Sequence, residues 1–232
     1  MNAKKEAQTI QGTKQEFLKI FREMCYARNA WQVWEDLISA IACSLANSTD
    51  PDKTNVQYKE REREYAQCIK RLGGVDKPAK CFAIMVEALE RDPEQDFLGE
   101  LYMELNLRNH WKGQFFTPYH ICDFMAKITE GNIDGEIEKK GFISIFDPAC
   151  GAGATLIAAA NNAKKAKHNF QNHILFVGQD IDRIVGMMCY IQLSLLGCAG
   201  YICIGKDKSS GICLCSEWRY GRYDGCFIVS NQ

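Results

Sequence analysis

The segment from Phe142 to Gly153 constrains the fold more than any other part of the chain. Phe142–Phe146 is a short apolar run of β-forming residues, typical of a buried strand. Asp147-Pro148-Ala149-Cys150-Gly151-Ala152-Gly153 follows as a turn, and a helical pattern begins at Ala154. This order predicts the first unit of an open α/β sheet, which holds a nucleotide-like ligand at the carboxyl end of its first strand. The glycines would let the backbone approach that ligand closely.

The Asp-Pro-x-Cys-Gly-x-Gly string resembles the first motif of the S-adenosylmethionine-dependent DNA adenine-N6 methyltransferases, above all the modification subunits of type I restriction systems. In that family the acidic residue and the glycines hold the methionine end of the cofactor. The resemblance therefore implies an S-adenosyl-L-methionine site at this turn, comprising Asp147, Pro148, Ala149, Gly151 and Gly153. The purely structural alternative is a tight strand-to-helix turn in which Asp147 caps the helix.

A second segment, Gly113-Gln114-Phe115-Phe116-Thr117-Pro118, precedes the turn. From the residues alone, Thr117 can cap a helix whose first position is Pro118. The buried stripe of that helix is expected to contain Ile121, Phe124, Met125 and Ile128. The segment is also similar to the family motif that folds over the cofactor. The resemblance implies that Phe115 or Phe116 packs on the cofactor and that Thr117 helps to bind its methionine moiety.

The next strand, His173–Gly178, ends in two candidate carboxylates. Asp180 follows the strand directly, which is the position from which an acidic residue accepts hydrogen bonds from both ribose hydroxyls. Asp182 is better placed to cap the helix Arg183–Leu196. A third strand, Tyr201–Ile204, precedes Asp207, which by resemblance approaches the adenine ring and otherwise is a surface-loop aspartate.

The region before these motifs is predicted to be entirely helical. Residues 1–12 are expected to be frayed, and residues 131–140 to form a polar linker. The five predicted helices are Thr13–Arg28, Trp31–Leu45, Tyr58–Leu72, Pro78–Arg91 and Pro93–Leu107. Trp31 and Trp34 are interpreted as core residues rather than a base-stacking platform. Two regions follow: 1–110, helical, and 111–232, a methyltransferase core incomplete at its carboxyl end.

The end of the chain bears on catalysis. Tyr223–Val229 is predicted to be a lead-in and strand, and Asn231 stands where the family has the Asn of its catalytic Asn-Pro-Pro-aromatic motif, although no Pro-Pro follows. Adenine N6 is a poor nucleophile. The family flips the base out and accepts the N6 hydrogens on that Asn and on a proline carbonyl. Asn231 is therefore either the catalytic candidate or simply a polar residue near the end.

Composition limits the partners. The 232 residues are 47% hydrophobic and carry a net charge of −1 with no basic cluster, so DNA binding is expected to need a partner specificity subunit. No run is long and apolar enough to span a membrane, and the polar start resembles no secretory signal, which predicts a cytoplasmic protein. The twelve cysteines are expected to be reduced core residues. The spacing of Cys213 and Cys215 is too tight for a zinc site, and no metal is predicted.

The sequence as a whole predicts an α/β protein with a partial Rossmann-like methyltransferase core after an N-terminal helical region. The function implied by the resemblance is adenine-N6 DNA methylation of the type I or mobile-element kind. The alternative is a non-catalytic relative that binds S-adenosylmethionine or a partner subunit. A nucleotide-binding oxidoreductase is disfavoured because the turn lacks the third glycine of the dinucleotide motif. A sheet of about four strands would leave an open edge, which predicts a dimer or a bound subunit.

Overall fold

The computed structural model describes residues 3–107, 116–129, 133–205 and 211–212. Its helices are α1 (Ala3–Met24), α2 (Ala30–Thr49), α3 (Val56–Leu72), α4 (Asp76–Arg91), α5 (Phe97–Glu104), α6 (Tyr119–Thr129), α7 (Ile133–Lys140), α8 (Ala154–Lys165), α9 (Phe170–His173) and α10 (Arg183–Leu195). Its strands are β1 (Ile143–Asp147), β2 (Ile174–Asp180), β3 (Gly200–Ile204) and β4 (Gly211–Ile212). Helices alone precede the first strand, and parallel strands then alternate with helices. The predicted α/β class with an N-terminal helical region is confirmed.

The chain divides into two compact units. One comprises Met1–Pro93 with Glu100–Gln114, and the other comprises Glu94–Gly99 with Phe115–Gln232. The predicted boundary lies after residue 110, whereas the short segment Glu94–Gly99 is grouped with the later residues. The hydrogen bonds that tie this segment to α10 are described below.

The core of the first unit is built around Trp34, whose side chain is fully buried. The rings of Phe17, Phe21 and Tyr102 meet it edge to face, with centroid distances of 6.3, 5.6 and 6.2 Å. Trp31 lies 6.0 Å from the Tyr102 ring, again edge to face. Edge-to-face pairs of this kind each add roughly 0.5–1.5 kcal/mol beyond the area that they bury. The predicted core role of Trp34 is confirmed.

The first helix is longer at its amino end than predicted. We expected residues 1–12 to be frayed, but α1 begins at Ala3 and continues without a break to Met24. The early residues are polar, which obscured the helical pattern. Ala, Lys, Glu and Gln are nevertheless among the best helix formers, so a polar segment of this composition readily extends an established helix.

The predicted linker at residues 131–140 is also wrong in part, because Ile133–Lys140 forms α7. Glu136 and Lys140 form an ion pair one turn apart. Lys139 and Lys140 occupy the last turn, where positive charge is favoured by the helix dipole. Glycine and charge suggested a loop, but these local pairs support a short helix.

The sheet order is β1-β2-β3-β4. β1 pairs in parallel with β2, and β2 with β3, while β4 runs antiparallel to β3. Each of the three parallel strands lies within two residues of its predicted position. The predicted strand Tyr223–Val229 lies outside the described residues.

The prediction that β1 is a buried strand is wrong. Its side chains alternate between half-buried and exposed, and the Phe146 side chain is 58% exposed. β1 is the outermost strand of the described part of the sheet, where β2 is its single neighbour. Successive side chains of a strand point to opposite faces of the sheet, so this alternation shows that one face of β1 is more covered than the other.

Candidate functional site

The glycine turn begins where β1 ends. Asp147 Oδ1 accepts a hydrogen bond from the backbone N–H of Ala149 at 3.0 Å, and Gly153 N donates to the carbonyl of Cys150 at 2.8 Å. The backbone φ angles of Gly151 and Gly153 are +56° and +101°, a region that residues other than glycine rarely adopt. The turn therefore needs glycine at both positions for conformational reasons alone.

Asp147 does not act as the cap of α8. The N-cap position of α8 is Gly153, which makes no side-chain capping bond. The Asp147 carboxylate instead closes the small turn to Ala149 described above. The capping alternative of the sequence analysis is therefore wrong for this residue.

The two glycines face different neighbours. A Cβ on Gly151 would lie 3.3 Å from a ring carbon of Phe116. Phe116 belongs to the segment of residues 113–118, which was predicted to fold over the cofactor. A Cβ on Gly153 would lie 2.8 Å from Cys189 Sγ of α10, closer than real Cβ atoms come. Gly153 thus permits close packing of α10 against the turn, whereas the sequence analysis assigned both glycines to ligand approach.

Asp180 lies at the carboxyl end of β2, beside the turn. Its Oδ2 accepts a hydrogen bond from the backbone N–H of Gly151 at 3.0 Å, and its Oδ1 accepts one from the N–H of Asp182 at 2.8 Å. The two motifs that the sequence analysis assigned to the cofactor, the glycine turn and the acid after the second strand, are therefore in direct contact.

Burial raises the pKa of the Asp180 carboxyl above its usual value of 3.8. The hydrogen bonds from the N–H groups of Asp182 and Gly151 lower it in turn, and the nearby Asp182 charge raises it, so that the net direction is upward. The raised pKa reflects a carboxylate that has lost part of its hydration but retains hydrogen-bond donors.

Asp182 has the capping role that the sequence analysis preferred for it. Its Oδ1 accepts hydrogen bonds from the backbone N–H groups of Ile184 at 3.0 Å and Val185 at 3.4 Å, at the start of α10. The residue is 6% exposed. This interpretation is confirmed.

The Phe-Thr-Pro segment reaches the site through α6. The first backbone hydrogen bonds of α6 end on the carbonyl of Pro118, which accepts from Ile121 N and Cys122 N at 2.9 and 3.3 Å. Phe116 is half-buried next to Gly151, while Thr117 and Pro118 are exposed.

Contacts between α6 and α8 fix this arrangement. Cys122, Ala154 and Ala158 form a small buried cluster against which Tyr119 and Ala126 pack. Two amides of α8 bond to α6: Asn161 Nδ2 donates to Tyr119 Oη at 3.1 Å, and Asn162 Nδ2 donates to Asp123 Oδ1 at 3.0 Å. The start of α6 is thereby held beside the helix that the glycine turn opens.

The predicted buried stripe of α6 is wrong. Its four large apolar side chains are exposed, by 42%, 61%, 47% and 67% for Ile121, Phe124, Met125 and Ile128 respectively. The buried face of α6 carries the smaller Cys122 instead. Small side chains allow α6 to approach the alanine-rich face of α8 closely, and the large ones then point away.

Two buried polar residues near the turn escaped the sequence analysis. Asp96 is 3% exposed and Gln192 is fully buried. A usable signal was present, since Gln192 interrupts the otherwise apolar run of α10 and a buried amide requires partners.

Three predicted site residues, Phe115, Asp207 and Asn231, lie outside the described residues. Within the described ranges, no group of three or more His, Cys, Asp or Glu side chains is arranged to hold a metal ion. None of the described helices is both long and apolar enough to cross a membrane. The described cysteines are free thiols, most of them buried.

Comparison with solved structures finds weak overall likeness. A type I restriction-modification system methyltransferase subunit from Streptococcus thermophilus is 13% identical, with a TM-score of 0.42, over 87% of this chain and 59% of that one. A candidate class I S-adenosylmethionine-dependent methyltransferase from Listeria monocytogenes is 16% identical, with a TM-score of 0.39, over 83% of this chain and 57% of that one. The chain thus spans less than two thirds of the length of these structures. No curated protein matches it.

The family comparison is specific. The model of the N-6 DNA Methylase family matches residues 94–209, half of the 232-residue chain. The match starts at Glu94, the first residue of the second compact unit, and includes the Phe-Thr-Pro segment, the glycine turn and Asp180. The chain belongs to the N-6 DNA Methylase family.

Proposed function

We propose that this chain binds S-adenosyl-L-methionine at the carboxyl ends of β1 and β2 and forms the cofactor-binding part of an adenine-N6 DNA methyltransferase of the type I restriction-modification or mobile-element kind. The observation that carries the proposal is the 3.0 Å hydrogen bond between Asp180 Oδ2 and Gly151 N. It brings the acid and the glycine turn of the family motifs together at adjacent strand ends, where open α/β sheets bind nucleotides.

The Asp180 carboxylate has the acceptor capacity that the ribose requires. Its Oδ2 and Oδ1 accept hydrogen bonds from the backbone N–H groups of Gly151 and Asp182, and each oxygen of a carboxylate can accept more than one hydrogen bond. Two ribose hydroxyls could therefore each donate to one oxygen. Such bonds to an ionised acceptor are the stronger kind.

The rest of the site would receive the other parts of the cofactor. Pro148 and Ala149 are exposed and Gly151 is half-buried, so the turn has accessible backbone for the methionine end. Phe116 offers an aromatic surface beside Gly151, and the exposed Thr117 offers a hydroxyl. Phe115 and Asp207 retain, by family resemblance, roles in packing on the cofactor and in approaching its adenine.

The chemistry divides between cofactor and protein. The bound cofactor would supply a methyl group activated by its sulfonium sulfur. The described residues would hold and orient the cofactor through Asp180 and the glycine turn. Such positioning supplies a large part of the rate enhancement of a transfer reaction. Acceptors for the adenine N6 hydrogens would come from the position that the Asn-Pro-Pro-aromatic motif occupies in the family, where Asn231 is the candidate in this chain.

DNA is the proposed substrate, with a specificity subunit as partner. The net charge of −1 supports a model in which another subunit provides most of the DNA binding, because proteins that bind DNA alone usually present a basic face. The second candidate function is a partner-binding relative without catalysis. The exposed apolar side chains of α6 favour it, since an apolar patch of this kind often marks an interaction surface.

Competition binding tests the cofactor assignment. Tritiated S-adenosylmethionine is equilibrated with the chain, and S-adenosylhomocysteine, NAD⁺ and ATP are added separately at equal concentration. We expect S-adenosylhomocysteine alone to displace the label. Displacement by NAD⁺ would favour the oxidoreductase reading, and absence of binding would remove the proposal.

A further inference from the structure

A buried polar pair lies beneath the glycine turn. Gln192 Nε2 of α10 donates to Asp96 Oδ1 at 2.7 Å and to the carbonyl of Ala152 at 2.9 Å. Gln192 Oε1 accepts from the backbone N–H of Leu98 at 3.1 Å, and Asp96 Oδ1 also accepts from Gly99 N at 2.9 Å. The pair therefore joins three parts of the second unit: the segment Glu94–Gly99, α10 and the turn.

The orientation of the Gln192 amide follows from its partners. The Leu98 N–H can only donate and the Ala152 carbonyl can only accept, so the oxygen must face Leu98 and the nitrogen must face the turn. Both amide hydrogens and the oxygen are then engaged. Such complete satisfaction is what allows a fully buried amide to persist in an apolar helix.

The pair controls one peptide of the turn. The carbonyl of the Ala152–Gly153 peptide bonds to Gln192, while its N–H donates to Cys150 O at 2.8 Å. Both polar groups of this peptide are held, so it cannot rotate without breaking two hydrogen bonds. The peptide follows Gly151, whose N–H bonds to Asp180, and so sets the path of the turn next to the proposed ligand.

We propose that Asp96 and Gln192 are positioning residues of the cofactor site. They hold the Ala152 carbonyl and thereby keep the turn in the form that receives the amino-acid end of S-adenosylmethionine. The inference rests on the proposed function. Neither residue is expected to contact the cofactor, and both act through the turn.

The test compares two ligands that differ at that end. 5′-Methylthioadenosine shares the adenine, ribose and sulfur of S-adenosylmethionine and lacks its amino-acid portion. Gln192→Met keeps the side-chain length and removes the amide. We expect it to weaken S-adenosylmethionine binding by about tenfold or more, the loss expected when buried hydrogen-bonding groups lose a partner. The affinity for 5′-methylthioadenosine should change less than about twofold, because groups that share no partner with the substituted residue are affected little.

Asp96 provides a second, matched comparison. Asp96→Asn keeps an oxygen that can accept hydrogen bonds from Gln192 and Gly99. It should therefore retain the wild-type ratio of the affinities for S-adenosylmethionine and 5′-methylthioadenosine. Asp96→Ala removes the acceptor and should change this ratio in the same direction as Gln192→Met. Ser194→Ala is the control in α10, since that hydroxyl donates within the helix to the carbonyl of Tyr190. Thermal unfolding followed by circular dichroism identifies any variant that fails to fold, and the remaining variants carry the test.

The outcomes separate the two claims. A wild-type chain that does not bind S-adenosylmethionine overturns the proposed function, and this inference falls with it. A wild-type chain that binds, with variants that lose both ligands equally or neither, overturns the inference alone. A selective loss of S-adenosylmethionine in Gln192→Met and Asp96→Ala, with Asp96→Asn and Ser194→Ala unchanged, supports it.

Discussion

Asp180 and Gly151 are joined by a hydrogen bond of 3.0 Å from the Gly151 backbone N–H to the Asp180 carboxylate, which ties the end of β2 to the turn after β1. The sequence motifs suggested two separate groups that meet on a ligand. In the structure the acid also supports the turn directly. A change at Asp180 is therefore expected to affect both the ribose and the methionine side of the proposed site.

Cofactor binding should depend on pH through Asp180. Burial raises the pKa of the Asp180 carboxyl, so the folded chain holds the carboxyl proton more tightly than the unfolded chain, in which the pKa is 3.8. The contribution of Asp180 to the free energy of unfolding therefore falls as the pH rises from 3.8 through the folded pKa. Affinity for the cofactor should change in the opposite direction, because the ionised carboxylate is the stronger acceptor.

Dissociation constants measured from about pH 4 to about pH 7 check this dependence, a range that begins near the ordinary pKa of Asp. Asp180→Asn serves as the comparison, since its amide does not titrate. We expect the ratio of wild-type to variant affinity to grow as the pH rises. A ratio that stays constant would show that Asp180 does not contribute through its charge.

Gly153→Ala should destabilise the fold more than Gly141→Ala. Both glycines have left-handed backbones, with φ of +101° and +82°, so the conformational cost of alanine is similar. A Cβ on Gly141 meets nothing within 4 Å, whereas one on Gly153 lies 2.8 Å from Cys189 Sγ. Gly153→Ala is expected to lower the free energy of unfolding by about 1–3 kcal/mol more than Gly141→Ala, which is the usual cost of overpacking.

Urea unfolding of the two variants measures the difference. Cys189→Ala in the Gly153→Ala background removes the sulfur and should recover part of the loss, although Cys189 Cα remains 3.4 Å away. Equal stabilities for Gly153→Ala and Gly141→Ala would contradict the close packing of α10 on the turn.

The exposed apolar side chains of α6 should promote association of the chain. One of them, Met125, lines a groove of about 480 Å³ together with Ile133, Ile145 and Phe146. Phe124→Glu combined with Ile128→Lys is expected to lower the average mass seen by light scattering. Tyr26→Glu, which changes a 96% exposed aromatic in the first unit, is the control and should have no effect. A monodisperse wild-type monomer would contradict this prediction.

The chain by itself should bind DNA weakly and transfer no methyl group to it. With a net charge of −1, the expected dissociation constant for duplex DNA at physiological salt is ~10⁻⁴–10⁻⁶ M or weaker, without sequence preference. A gel shift measures the binding, and tritiated-methyl transfer to adenine-rich DNA measures the reaction. Tight sequence-specific binding, or robust turnover by the chain alone, would contradict the expectation.

The sequence predicts the local elements of the site well, because each is encoded by neighbouring residues. The strand before Asp147, the helix from Ala154 and the capping by Asp182 all depend on short-range patterns. What could not be predicted depends on tertiary packing. The apolar stripe of α6 fixed which residues share a face, but small residues such as Cys122 determined which face is buried. Gln192 acquired its role through partners far away in the chain.

Calorimetric titration with S-adenosylmethionine, comparing the wild-type chain with Asp180→Ala, tests the central claim most directly. The exposed Asp76, in the first turn of α4, provides the matched control as Asp76→Ala. We expect the wild type and the control to bind alike and Asp180→Ala to lose roughly 1.5–3 kcal/mol for each ribose hydrogen bond removed. Equal affinity in all three proteins would show that the cofactor does not bind at the ends of β1 and β2.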